Sequence, residues 1–245
     1  MMYKSLLIIV LSLITACSNR ESNGDGENKS AVYHVQKAAD FQVTGDGSNE
    51  NWGKAEWIVL AKREQFKDNP LQTNVKALYS ETGLYFLFSC QDNKLTSSMN
   101  ADFMDLWKED VAEVFLWPDE NYPTYFEYEI SPLNHELPIL VANTNGDLLR
   151  WQPFHYDADR QTDHETAALG GEKKPGAAVD GWVAEFFIPY KLLIPLNHVP
   201  PHKGDRWRAN FYRVDYDEPK SVSWLWQLTK NNFHDYESFG SIIFN

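Results

Sequence analysis

Cysteine is nearly absent: the 245-residue chain contains two, Cys17 and Cys90. That argues against a disulfide-stapled scaffold, a cysteine-based zinc site and a Cys-x-x-Cys-His haem attachment. Basic residues are also scarce, with 22 Lys and Arg against 35 Asp and Glu and a formal net charge of −13. Phosphate backbones are bound by clustered cations that release counterions, so no nucleic-acid partner is expected. A glycine-rich phosphate loop, a Gly-x-Ser-x-Gly elbow and internal repeats are missing as well. No apolar run reaches the roughly 18 residues that span a bilayer. Aromatic residues, in contrast, make up 14% of the chain within a hydrophobic fraction of 43%. That is enough to bury a core, and β-sandwiches reach about 250 residues as one domain.

Residues 1–16 read as an export signal. Lys4 supplies the positive start, residues 6–14 the apolar centre, and Thr15-Ala16 the small residues before Cys17. Leu13-Ile14-Thr15-Ala16-Cys17 resembles the lipobox of bacterial lipoproteins, which implies that Cys17 is lipidated. The expected location is the cell envelope, at the outer membrane or cell surface, with the lipid as the sole membrane contact. Residues 17–31 are polar and read as a flexible tether, leaving residues 32–245 as the folded domain. With Cys17 acylated, Cys90 has no disulfide partner and reads as a small buried hydrophobe.

From residue 32 onward the pattern is β. Segments 75–79 and 84–90 flank Ser80-Glu81-Thr82-Gly83 and predict a hairpin. Segments 111–117 and 124–130 predict a second hairpin with a longer loop. Further strands are expected at 181–188, 206–214, 221–228 and 239–244, and one helical turn at 190–194, between two prolines. Residues 161–178 read as an exposed loop. About eight short strands with very little helix predict an all-β fold, a single-domain sandwich of jelly-roll or immunoglobulin-like type.

The second hairpin carries the functional signal. Successive strand residues point to opposite faces, so Ala112, Val114 and Leu116 with Phe126, Tyr128 and Ile130 form a core face. The other face then joins Glu113, Phe115 and Trp117 to Tyr125, Glu127 and Glu129. Sugars are held this way, with C–H faces against rings and hydroxyl pairs donating to carboxylates. An aromatic-rich sandwich with a second packed layer would produce the same pattern.

Six blocks in order carry a resemblance. They are Gly45-Asp46-Gly47 with Trp52-Gly53-Lys54-Ala55; Ala77-Leu78-Tyr79 through Gly83-Leu84-Tyr85-Phe86 to Asp92; Trp107-Lys108-Glu109-Asp110-Val111-Ala112-Glu113; Gly181-Trp182-Val183-Ala184-Glu185; Gly204-Asp205-Arg206-Trp207; and Phe233-His234 with Phe239-Gly240. Together they resemble family 9 carbohydrate-binding modules over residues 32–245. The resemblance implies a sugar-binding β-sandwich that accompanies glycoside hydrolases in polysaccharide breakdown, with calcium stabilising loops. It implies Trp107 as one stacking platform, Glu113 as a hydroxyl acceptor and Asn231 as the family asparagine. The second stacking position falls at Phe233 or His234, where the family has tryptophan. The family arginine falls at Glu127, which reverses the charge and points to another glycan or a cationic partner. Asp46 and Asp92 are the calcium candidates.

Rival readings remain at this point. Paired carboxylates, Glu113 with Glu127 or Glu129, suit a glycoside hydrolase if one of them keeps its proton. A haem- or partner-binding sandwich would use Met99, Met104, His135 or His234, and no haem is expected. Glu185 is expected to pair with Arg206, Arg208 or Arg213.

Overall fold

Alternation between apolar and polar positions decides the strands. The computed structural model describes residues 31–144, 147–217 and 219–245. The export signal, Cys17 and nearly all of the tether lie outside the described residues. The strands are β1 (Val32–Lys37), β2 (Ile58–Val59), β3 (Ala61–Lys62), β4 (Thr73–Tyr79), β5 (Gly83–Gln91), β6 (Val111–Trp117) and β7 (Thr124–Ile130). They continue as β8 (Glu136–Thr144), β9 (Asp147–Pro153), β10 (Asp163–Leu169), β11 (Gly181–Pro189), β12 (Arg206–Asp215), β13 (Val222–Leu225) and β14 (Gly240–Phe244). The one α-helix, α1 (Tyr190–Leu193), follows Pro189 as expected, because proline presets the backbone for a first helical turn.

The strands run in the order β10-β11-β5-β4-β1-β14-β12-β6-β7-β8-β9, with β2 on β4 and β13 bridging β12 and β3. They form two layers. Residues 32–35 of β1 pair in parallel with β14, and residues 36–37 pair in parallel with β4, so one strand serves both layers. Between the layers lie Phe86 and Phe186 from one side and Tyr128 and Phe211 from the other. The Phe86 and Phe211 rings stand 5.9 Å apart, and Tyr128 and Phe186 4.7 Å apart. The β4–β5 turn is closed by the Ser80 hydroxyl, which accepts from the Thr82 and Gly83 amides. Gly83 is required there, because a Cβ would stand 2.4 Å from the Ile188 carbonyl oxygen. Cys90 is free and buried, and burial pushes its thiol up to about 12, so it behaves as a small hydrophobe.

Two expectations are corrected. Residues 161–178 are not all loop, since β10 lies within them as an edge strand paired only to β11. Its run Asp163-His164-Glu165-Thr166-Ala167-Ala168-Leu169 has no apolar alternation to betray it. Glu185 pairs with none of Arg206, Arg208 and Arg213. It is fully buried on the outer face of β11, where its carboxylate accepts from the Thr44, Gly45 and Gly47 amides and from the Trp52 indole. That carboxylate fixes the loop covering the β4–β5–β11 layer, whose outer face also buries Tyr85, Leu87 and Val183.

Candidate functional site

The outer face of the β12–β6–β7–β8 layer is also covered. Phe115, Tyr125, Ile139, Tyr212 and Val214 are buried beneath the 3-10 turn Leu106–Lys108 and the segment leading to Phe239. The second packed layer weighed from sequence therefore exists, and it frames an open cavity of about 540 Å³.

Strand register builds the cavity floor. Glu113 pairs with Glu129, and Phe115 with Glu127, so the three carboxyls share one face of β6 and β7. All three are at least nine-tenths buried. Burial pushes Glu127 up to about 8. Glu113 is raised well above the usual carboxylate range by burial and then by the charge of Glu127, and Glu129 by burial and then by Glu113. Three desolvated acids on adjacent strands resist simultaneous ionisation.

The walls come from distant parts of the chain. Trp107 projects from the Leu106–Lys108 turn, and Trp151 from β9 meets it edge-on, with ring centroids 5.1 Å apart at 78°. Phe233 lies flat on Tyr212 at 4.1 Å, and the Tyr212 hydroxyl donates to the Phe233 carbonyl. The His234 Nδ1 is 2.6 Å from the Tyr125 hydroxyl and 3.9 Å from Glu127 Oε2. Burial lowers His234 to about 4, so its imidazole is neutral at pH 7. Asn231 is exposed at the rim. Arg63 also lines the cavity, with its guanidinium donating to the Thr229 carbonyl and hydroxyl.

Trp107, Glu113, Glu127, Asn231, Phe233 and His234, the six ligand candidates named from sequence, thus line a single cavity. Sequence reasoning missed Trp151, Leu148 and Arg63. Trp151, from β9, brings a second indole to the cavity, whereas Phe233 and His234 bring none. Of the haem-ligand candidates, only His234 lines this cavity; Met99 packs in the layer above β6, Met104 is exposed and His135 lies beside Asp102.

The two calcium candidates do not come together. Asp46 is exposed, its Oδ1 accepts from the Thr44 hydroxyl and the Ser48 amide, and hydrogen bonding from the Ser48 side chain first, then from Thr44 and the Ser48 amide, lowers it to about 2. It closes a turn. Asp92 is buried, and one carboxylate oxygen from each of Asp92, Asp215 and Asp217 lies within 4.8 Å of the others. Hard oxygen donors in that arrangement suit calcium. Arg213 already contacts Asp92 at 2.8 Å and Asp215 at 3.2 Å.

The buried glutamates make stability depend on pH. An unfolded Glu127 titrates near its ordinary 4.5, and the folded one near 8. The folded state therefore holds the proton more tightly, and this contribution is complete below about pH 4.5 and lost as pH rises through 8. Ligand-free protein is expected to lose stability between pH 5.5 and 8.5, by on the order of a few kcal/mol. Glu127→Gln should flatten that slope. Urea unfolding across the range checks it, and equal slopes in the two proteins would remove Glu127 as the cause.

The comparisons bear on the class of fold first. The architecture is that of carbohydrate-binding-module sandwiches. It superposes on a candidate carbohydrate-binding protein from Bacteroides uniformis with a TM-score of 0.71 at 16% identity, covering 89% of this chain and 100% of that one. A family 9 carbohydrate-binding module from Caldicellulosiruptor kristjanssonii in complex with cellotriose matches with a TM-score of 0.62 at 16% identity, covering 88% and 94%. The same organism's family 9 module in complex with glucose matches at 0.59, again 16% identical, covering 88% and 96%. Residues 43–137 match the family described as carbohydrate family 9 binding domain-like, which bears out the resemblance read from the motifs. That stretch includes Trp107 and all three glutamates, while Trp151 and residues 231–234 lie beyond it. No curated protein sequence matches the chain.

Proposed function

We propose that this protein is a non-catalytic glycan-binding module, exported and lipid-anchored through Cys17, that captures saccharides for extracytoplasmic polysaccharide breakdown. The carrying observation is the cavity in which two tryptophans meet above a carboxyl floor. Its size suits one or two sugar rings, and small-ligand sites typically occupy about 300–1,000 Å³. The relatives in complex with cellotriose and glucose support a saccharide ligand. The lipobox-like residues 13–17 and the polar tether support display at the cell envelope, beside glycoside hydrolases. Catalysis is disfavoured because burial raises all three glutamates together. Hydrolysis needs one acid protonated and its partner ionised.

Isothermal calorimetry against a panel of soluble oligosaccharides tests the reading. Saturable binding without product release is the expected result. Failure of every saccharide to bind the folded protein would overturn it, and hydrolysis would reassign the site as catalytic.

The same reading includes a structural calcium ion held by Asp92, Asp215 and Asp217, without Asp46. A ligand that binds only the folded state raises its melting temperature. Chelation by EDTA is therefore expected to lower Tm by several degrees, and calcium to restore it. An identical Tm with and without EDTA would eliminate the ion.

A further inference from the structure

The acids under the cavity are short of partners. The Oε2 atoms of Glu127 and Glu129 accept no hydrogen bond, although both side chains are more than nine-tenths buried and both residues line the cavity. Glu113 stands directly across from Glu129, so two buried acids face each other in the ladder and both hold their protons tightly. Among the described residues no Lys or Arg pairs with them. His234, 3.9 Å from Glu127 Oε2, is held neutral by burial, and the Arg63 guanidinium is committed to Thr229.

A neutral sugar hydroxyl can donate one hydrogen bond to such a floor but cannot take the proton that a buried acid holds. A free amine accepts that proton and becomes the ammonium partner of the carboxylate left behind. A protonated amine supplies three donors and a full positive charge. Its attraction to a carboxylate grows as water is excluded. The tryptophans above add ring faces that favour a cation. We infer that the preferred ligand is a saccharide bearing a free amine, with its ammonium group set over Glu113, Glu127 and Glu129. This rests on the glycan-binding reading and specifies its substrate class: amino sugars that are not N-acylated.

The test is calorimetry at pH 7 with three β-1,4-linked disaccharides of one shape: cellobiose, the disaccharide of glucosamine, and its N-acetylated form. The amine should bind at least tenfold more tightly than either of the others. In Glu127→Gln that preference should fall below threefold. The wild-type ratio decides the matter even if the variant fails to fold. Cellobiose binding as tightly as the amine would overturn the inference and leave the glycan-binding reading standing. The N-acetylated form matching the amine would overturn it too, since shape and not charge would then be recognised. No binding by any of the three would overturn the inference, and the wider panel would then judge the function separately.

Discussion

Trp107→Ala is expected to weaken saccharide binding by roughly 30-fold, equivalent to about 2 kcal/mol, the size of effect seen when a central tryptophan anchor is truncated. The indole is half-buried at the cavity wall and meets Trp151 edge-on, so it presents a preformed face with little left to order on binding. Lys108 Nζ lies 5.6 Å from the same ring and helps to hold it in place. Trp107→Phe should recover much of the loss, because a smaller ring still stacks. Melting curves separate this from unfolding. Trp107 belongs to a surface turn, so Tm should move by only a few degrees while affinity collapses. Unchanged affinity in the alanine variant would place the saccharide elsewhere.

Arg213→Ala is expected to destabilise the fold by about 3–5 kcal/mol, the range for removing one partner of a buried ion pair. The guanidinium is fully buried. It donates to Asp92, to Asp215 and to the Gln91 carbonyl, and it stacks on the Trp224 ring at 4.6 Å. Asp92 follows β5 in one layer and Arg213 belongs to β12 in the other, so the pair ties the layers together at one end of the sandwich. In calcium-free protein, loss of the guanidinium leaves Asp92 and Asp215 desolvated with no opposing charge. Lysine should rescue poorly, since a point charge cannot serve three acceptors in the geometry of a planar fork. Urea unfolding measures the loss, and a change below 1 kcal/mol would show that the pair contributes little.

The hairpin that builds the cavity floor was fully legible in the sequence. Segments 111–117 and 124–130 coincide with β6 and β7, and the inferred faces and register are those observed. The shared face pattern on the two strands rules out a one-residue slip, which would turn every core residue outward. The β8–β9 hairpin went unread because Pro138 interrupts an apolar run and β9 is an edge strand whose Leu148, Leu149 and Trp151 are exposed. Missing that hairpin meant missing Trp151. Arg63 left no local signal either, because it reaches the cavity through the pairing of β3 with β13, far along the chain. The burial of Glu113, Glu127 and Glu129 was hidden for a related reason. Alternation shows which face a residue takes but not whether distant segments later cover that face.

The double pairing of β1 has a mechanical consequence. Tension arriving through the residues before Val32 pulls along the axis of a strand that runs parallel to both of its neighbours. Its hydrogen bonds to β14 are therefore loaded together in shear, rather than one after another as in unzipping. A pull on the residues before Val32 meets the sandwich along this resistant direction. The load path from β1 through β14 and β12 to β6 ends beneath the cavity, so a pull on β1 and a load at the cavity strain the same continuous run of strands.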